Sequence, residues 1–183
     1  PGVLQRIGVV FFAASLLFLQ FNWRVLLAIA IVILLGYWIW MGFIPLEGQA
    51  PTYDRAPNNW ANYIDLHVFG THMYKVDYDP EGLLSTLPSI VTSLLGIFTG
   101  MLLVGDFKNK VRRMVVMGIG LLVLGHLWDP LFPINKALWT SSFVLVTAGW
   151  ANLVLALIYY LSDVKGLRFG SIFSHAGANA ITV

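Results

Sequence analysis

Arg6 sits in the first turns of an unbroken apolar run that begins at Val3. An ionisable side chain there costs a few kcal/mol unless it is paired or hydrated, so Arg6 predicts either an acidic partner or a side chain snorkelling to lipid headgroups. The carboxylates on offer at helix ends are Asp79, Glu81 and Asp129, and Glu81 is the partner expected. Asp77-Tyr78-Asp79-Pro80-Glu81-Gly82 sets three acids within five positions, directly ahead of another apolar run. One acid is accounted for by complementing a helix dipole. Three together can hold an amine or a cation, or raise one carboxyl into the range of a working acid or base. No EF-hand ligand spacing accompanies them, so a structural calcium site is not expected. A second polar stretch, Asn135-Lys136-Ala137-Leu138-Trp139, precedes the last long apolar run. A Lys at a helix N-terminus opposes the dipole, which predicts for Lys136 either an anionic partner or anchoring at the membrane interface. Thr140, Ser141 and Ser142 follow at once and read as hydroxyls bonded to helix backbone.

The remaining inventory is sparse. His67 and His72 are five apart, His126 and His175 lie elsewhere, and no HExxH pattern exists. Of the four, His126 is the strongest candidate for chemistry, and no residue is assigned as catalytic. The chain has no Cys, which removes disulfides, thiolate zinc sites and a cysteine nucleophile. Gly96 with Gly100, and Gly118 with Gly120, fall inside apolar runs, where they predict close helix packing rather than a phosphate loop. No metal site is expected.

These residues must be positioned by helices in a membrane. Of 183 residues, 58% are hydrophobic and only 11% charged, and the mean hydropathy is +0.77, whereas a soluble domain is about 25% charged. The fold class expected is all-α, a polytopic transmembrane helical bundle. Spans are predicted at about 3–20, 25–44, 82–104, 113–128 and 137–161, with a sixth starting near 171. They form a single region, 1–183, whose one long hydrophilic segment is 45–81. The fourth span is short. Its 14 residues from Met114 to Leu127 cover about 21 Å of a roughly 30 Å hydrocarbon core. That places the following turn, Trp128 to Lys136, below the membrane surface, unless the helix runs on through Asp129. The chain opens at Pro1 without an initiator Met and closes on Ala180-Ile181-Thr182-Val183 inside a further apolar run, so it reads as a piece of a longer multispan protein.

The net charge of +2 sorts by membrane side, which argues against a nucleic-acid partner. Arg24, Lys108, Lys110, Arg112, Arg113, Lys165 and Arg168 share one side with Asp106 and Asp163. The other carries Arg6, Arg55, Lys75 and Lys136 with Glu47, Asp54, Asp65, Asp77, Asp79, Glu81 and Asp129. Short cytoplasmic loops retain positive charge, so 106–113 and 163–170 are expected to be cytoplasmic and 45–81 and 129–136 extracytoplasmic. No strand alternation of the outer-membrane kind is present, which favours an inner or plasma membrane over a β-barrel location.

Six motifs, in order, carry a family resemblance. They are Pro1-Gly2-Val3-Leu4-Gln5-Arg6-Ile7, Tyr63-Ile64-Asp65, Tyr78-Asp79-Pro80-Glu81-Gly82-Leu83-Leu84-Ser85-Thr86, Pro133-Ile134-Asn135-Lys136-Ala137-Leu138-Trp139, Asp163-Val164-Lys165-Gly166 and Gly177-Ala178-Asn179-Ala180-Ile181. Together they resemble the heparan-α-glucosaminide N-acetyltransferase family and its bacterial relatives. The resemblance implies an acyltransferase that passes an acetyl group from acetyl-CoA across a membrane to the amine of a glucosamine-like sugar. Its catalytic His belongs to an upstream segment of the family, and none of the four His here matches it. This stretch is then expected to supply the substrate-binding wall of the site: Arg6, Asp79, Glu81, Asn135, Lys136, Trp139 and Asn179. The fragment alone is expected to be inactive. Its partners are membrane lipid, acetyl-CoA and an amino sugar, and a homodimer is one oligomeric state consistent with the sequence. The competing reading is a sugar or amino-sugar permease, or a nonenzymatic membrane protein, built on the same polar residues. A transporter predicts discontinuous helices near the midplane, and Pro88 inside the third span permits a kink.

Overall fold

The computed structural model describes residues 2–54, 56, 58–73 and 79–167. It is all-helical over these residues: α1 (Val3–Gln20), α2 (Trp23–Phe43), α3 (Trp60–Phe69), α4 (Leu83–Val104), α5 (Lys110–Trp128) and α6 (Ser141–Tyr159). All but α3 are long and apolar enough to cross a membrane. Local signals set their ends. Gly2 N–H donates to Gln5 Oε1 at the start of α1. Asn22 Oδ1 accepts from Arg24 and Val25 N–H and opens α2 after a two-residue turn. Gly70 closes α3 and passes the chain to a single 3-10 turn, Gly70–His72. The chain after α6 widens into a π turn over Tyr160–Val164.

Two boundaries differ from those predicted, each for a physical reason. α5 starts at Lys110 rather than 113, because Lys110 and the two arginines after it are helical although they depress hydropathy. Its 19 residues rise about 28 Å, with the three cations in its first turn. α6 starts at Ser141 rather than 137, because residues 133–140 are tied into a nonhelical knot.

The core is apolar and runs along the helix interfaces. Leu26, Ala30 and Leu34 of α2 meet Val91, Leu94 and Leu95 of α4 and Val144, Leu145 and Ala148 of α6. A second cluster at one end joins Tyr37 and Met41 of α2 to Ala61 of α3, Leu84 of α4, and Phe132 and Leu138 from the turn between α5 and α6. α5 and α6 approach most closely through glycine. A Cβ added at Gly149 would lie 2.8 Å from Gly118 O, and one at Gly125 would lie 2.6 Å from Val146 Cγ2. The spare surface is apolar too: Val32, Ile119, Val123 and Trp150 are all exposed, as expected where lipid or other helices complete the environment.

Up-and-down connectivity brings the starts of α1, α4 and α6 and the ends of α2 and α5 to one end of the bundle, together with α3. The α1–α2 turn, the α4–α5 loop and the end of α6 gather at the other.

Candidate functional site

Arg6 is buried on the first turns of α1 and reaches across to α4. Its Nη1 donates to Pro80 O at 2.8 Å and its Nη2 to Ser85 O at 2.9 Å. Nη2 also donates to Ser89 Oγ, while Ser89 Oγ donates to Ser85 O. The guanidinium lies over the Trp139 ring, 4.3 Å from its centroid, and the Trp139 indole N–H donates to Thr92 Oγ1 at 3.1 Å. Arg6 thus ties three segments together: the 79–82 turn, the first two turns of α4 and the turn before α6. A planar fork with fixed donors suits this multiple capture of carbonyls and the stack on an aromatic face.

The partner expected for Arg6 was Glu81, and the geometry is different. The guanidinium fork meets two backbone carbonyls and a hydroxyl, and Glu81, half-buried, is not among these partners. Its backbone N–H donates to Asp79 Oδ1 at 2.9 Å, which bends the 79–82 turn toward α4. Asp79 itself is buried.

Asp65 is the residue that sequence reasoning passed over. It is only 1% exposed, and its Oδ1 accepts from Leu83 N–H, the first residue of α4, at 2.7 Å. A Cβ at Gly82 would stand 1.9 Å from Asp65 Oδ2, so this carboxylate fits only because position 82 is glycine. Burial pushes the Asp65 carboxyl up to about 6, with the charge of Asp79 adding to the rise; the Leu83 N–H and Arg6 pull the other way. The clue lay in α3, whose buried Ala61, Asn62 and Asp65 fall on one helical face. That face is too short for a span and was hidden inside the hydrophilic 45–81 segment.

The turn between α5 and α6 is held by its own polar atoms. Asp129 Oδ1 accepts from Ile134 N–H, and Asn135 Oδ1 from Ala137 N–H. Thr140 Oγ1 accepts from Asn135 N–H and donates to Pro133 O. Ser142 Oγ donates to Phe132 O and Ser141 Oγ to Leu34 O, so these buried hydroxyls do bond to backbone. Tyr37 OH donates to Leu138 O. Trp139 pivots this knot in a left-handed conformation, φ +52°, which directs its ring under Arg6.

Lys136 departs from expectation. It is exposed, and among the described residues no carboxylate meets its amine. Because α6 begins only at Ser141, Lys136 is not at a helix N-terminus, and the dipole that was to demand an anion is not there. The site residues therefore divide. Arg6, Asp79, Glu81 and Trp139 are brought together with Asp65; Asn135 sits in the same turn as Trp139; Lys136 lies at that end but faces outward; and Asn179 lies outside the described residues, as do Asp77 and His175. His126 and His67 are exposed, and each ring meets a carbonyl of its own helix, Leu122 O and Tyr63 O.

Searches against protein-family models gave no match. The chain is, however, similar over its whole length to two curated proteins: heparan-alpha-glucosaminide N-acetyltransferase of Homo sapiens, at 29% identity, and the protein of the same name from Mus musculus, at 30%. The family resemblance read from the motifs is thereby borne out along the entire chain. The chain spans about a third of these relatives' length, 36% in each case.

Proposed function

We propose that this chain, related along its full length to heparan-alpha-glucosaminide N-acetyltransferase, forms part of a membrane acetyltransferase. In this reading it passes acetyl from acetyl-CoA to the amine of a glucosamine-like sugar. The whole-chain similarity carries the proposal. The local chemistry is compatible with it. Acetyl transfer needs an amine that attacks as the free base, a group to take its proton, and donors for the developing oxyanion. Glu81 offers a half-buried carboxylate for an ammonium, and Asn135, whose Oδ1 is committed to the turn, offers its amide NH2 to a sugar or acyl oxygen. Arg6, Asp79 and Asp65 act one step back, by fixing the turns that carry these groups. Trp139 presents an aromatic face at the same end. The proposed sidedness follows charge: this end is extracytoplasmic, in a bacterial inner membrane, and acetyl crosses from the opposite face.

The permease reading loses its specific support, because α4 runs unbroken through Pro88 and the other long helices are also continuous. The test is acetyl transfer from labelled acetyl-CoA to a panel of amino sugars by the full-length protein in detergent. Acetylated product on one of the sugars is expected. No product on any of them, together with amino-sugar uptake by liposomes lacking acetyl-CoA, contradicts the proposal.

A further inference from the structure

The end of the bundle opposite Arg6 concentrates cations around the start of α5. Lys108, Lys110, Arg112 and Arg113 fall within six positions, and the first turn of α5 has no acid. The N-terminus of a helix is the positive end of its dipole, so cations placed there oppose both the dipole and one another. Asn109, at the N-cap with φ +58°, adds no side-chain cap to the first-turn N–H groups. Retention of positive charge on one face of a membrane explains the number of cations. It does not explain their collection at a positive helix end.

Two of the four are committed within the protein. Lys110 Nζ donates to Leu103 O at 2.6 Å. Arg113 Nε donates to Lys108 O at 3.2 Å, with its guanidinium 5.2 Å over the Phe107 ring. Lys108 and Arg112 are exposed, and among the described residues neither meets a carboxylate; Asp106 is exposed as well. A cavity of about 530 Å³ opens here, with Lys108, Arg112 and Arg113 on its polar side and Leu102, Val116 and Met117 on its apolar side. Val116, Ile119 and Val123 continue from it along α5 as an exposed apolar ridge at i, i+3 and i+7 spacing.

We propose that this cavity binds the phosphate of an anionic phospholipid, with an acyl chain laid along the Val116–Ile119–Val123 ridge. Phosphate oxygens satisfy the cations and the open helix N-terminus together. The continuous apolar ridge favours a lipid over a soluble phosphate compound, because the chain attached to the headgroup meets a surface already suited to hydrocarbon. The proposal is independent of acetyl transfer.

The test uses the full-length protein in neutral detergent, with native mass spectrometry and thermal melts against phosphatidylglycerol, phosphatidylcholine and coenzyme A. Phosphatidylglycerol is expected to stay bound and raise Tm, and phosphatidylcholine to do neither. The double variant Lys108→Gln/Arg112→Gln is expected to bind phosphatidylglycerol roughly tenfold or more weaker, with its lipid-free Tm unchanged because both side chains are exposed. Ile119→Asp, which leaves the cations in place, is expected to weaken the same lipid. Equal binding of the two lipids, full retention by the double variant, or a preference for coenzyme A over phosphatidylglycerol overturns the proposal.

Discussion

Arg6 ties three segments together through the planar fork of its guanidinium. Its fork holds the Pro80 and Ser85 carbonyls and the Ser89 hydroxyl, so Arg6→Ala is expected to leave buried acceptors unmet and to destabilise the protein by about 3 kcal/mol. Arg6→Lys keeps the charge and loses the fork, and is expected to fall between the two in thermal melts in detergent. Asp65 makes a prediction with a sign. Its carboxyl is raised to about 6 from an unfolded value near 3.9, so the folded state holds the proton more tightly. The stability this contributes is fully present below about pH 4 and is lost as pH rises through about 6. Asp65→Asn can keep the acceptor for Leu83 N–H and is expected to flatten Tm between pH 4 and 7; an unchanged slope contradicts the assignment. Arg6 was legible from the sequence as a buried cation, because a charge in an apolar run stands out. Its carbonyl acceptors were not, since backbone carbonyls carry no residue signature. Lys136 was misread for a related reason: its supposed dipole depended on a helix start that lies five residues further on.

Helix packing separates glycines that touch from those that do not. Gly118 and Gly149 let the α5 and α6 backbones meet, whereas Cβ atoms at Gly96 and Gly100 would find nothing within 4 Å. Gly149→Val is therefore expected to destabilise by about 1–3 kcal/mol through overpacking. Gly96→Ala and Gly100→Ala, at helix-interior positions with open space, are expected to be neutral or slightly stabilising. Thermal melts of the three variants read this contrast directly. The sequence showed glycines in apolar runs but not which were in contact, because the spacing within one helix is silent about its neighbour. The five long helices were legible because hydropathy over some 20 residues is a strong signal. α3 was missed, being ten residues long and only moderately apolar. The start of α5 was missed because a helix at a membrane surface tolerates cations that a hydropathy window rejects. The start of α6 was set by the Thr140 and Asn135 bonds, which depend on three-dimensional turn geometry.

At the scale of the whole molecule, the two ends differ in kind: one is knotted by buried polar side chains, the other is an exposed cationic collar. This chain has no Cys, so in a full-length background whose other cysteines are replaced, introduced thiols read its sidedness. Single replacements Asp106→Cys and Glu47→Cys in sealed cells are expected to react with a membrane-impermeant maleimide in opposite patterns, Glu47→Cys from outside and Asp106→Cys only after permeabilisation; the reverse pattern inverts the proposed topology. The Arg6 end is proposed to face the acceptor of an acetyl transfer. This is tested with the full-length protein in sealed proteoliposomes of known orientation, with labelled acetyl-CoA on the Lys108 side and glucosamine on the Glu81 side. Acetylated sugar is expected on the Glu81 side, with kcat/KM lowered at least about tenfold by Glu81→Gln while the variant melts like the parent. Product that forms only when both substrates share one side, or a Glu81→Gln variant of full activity, contradicts it.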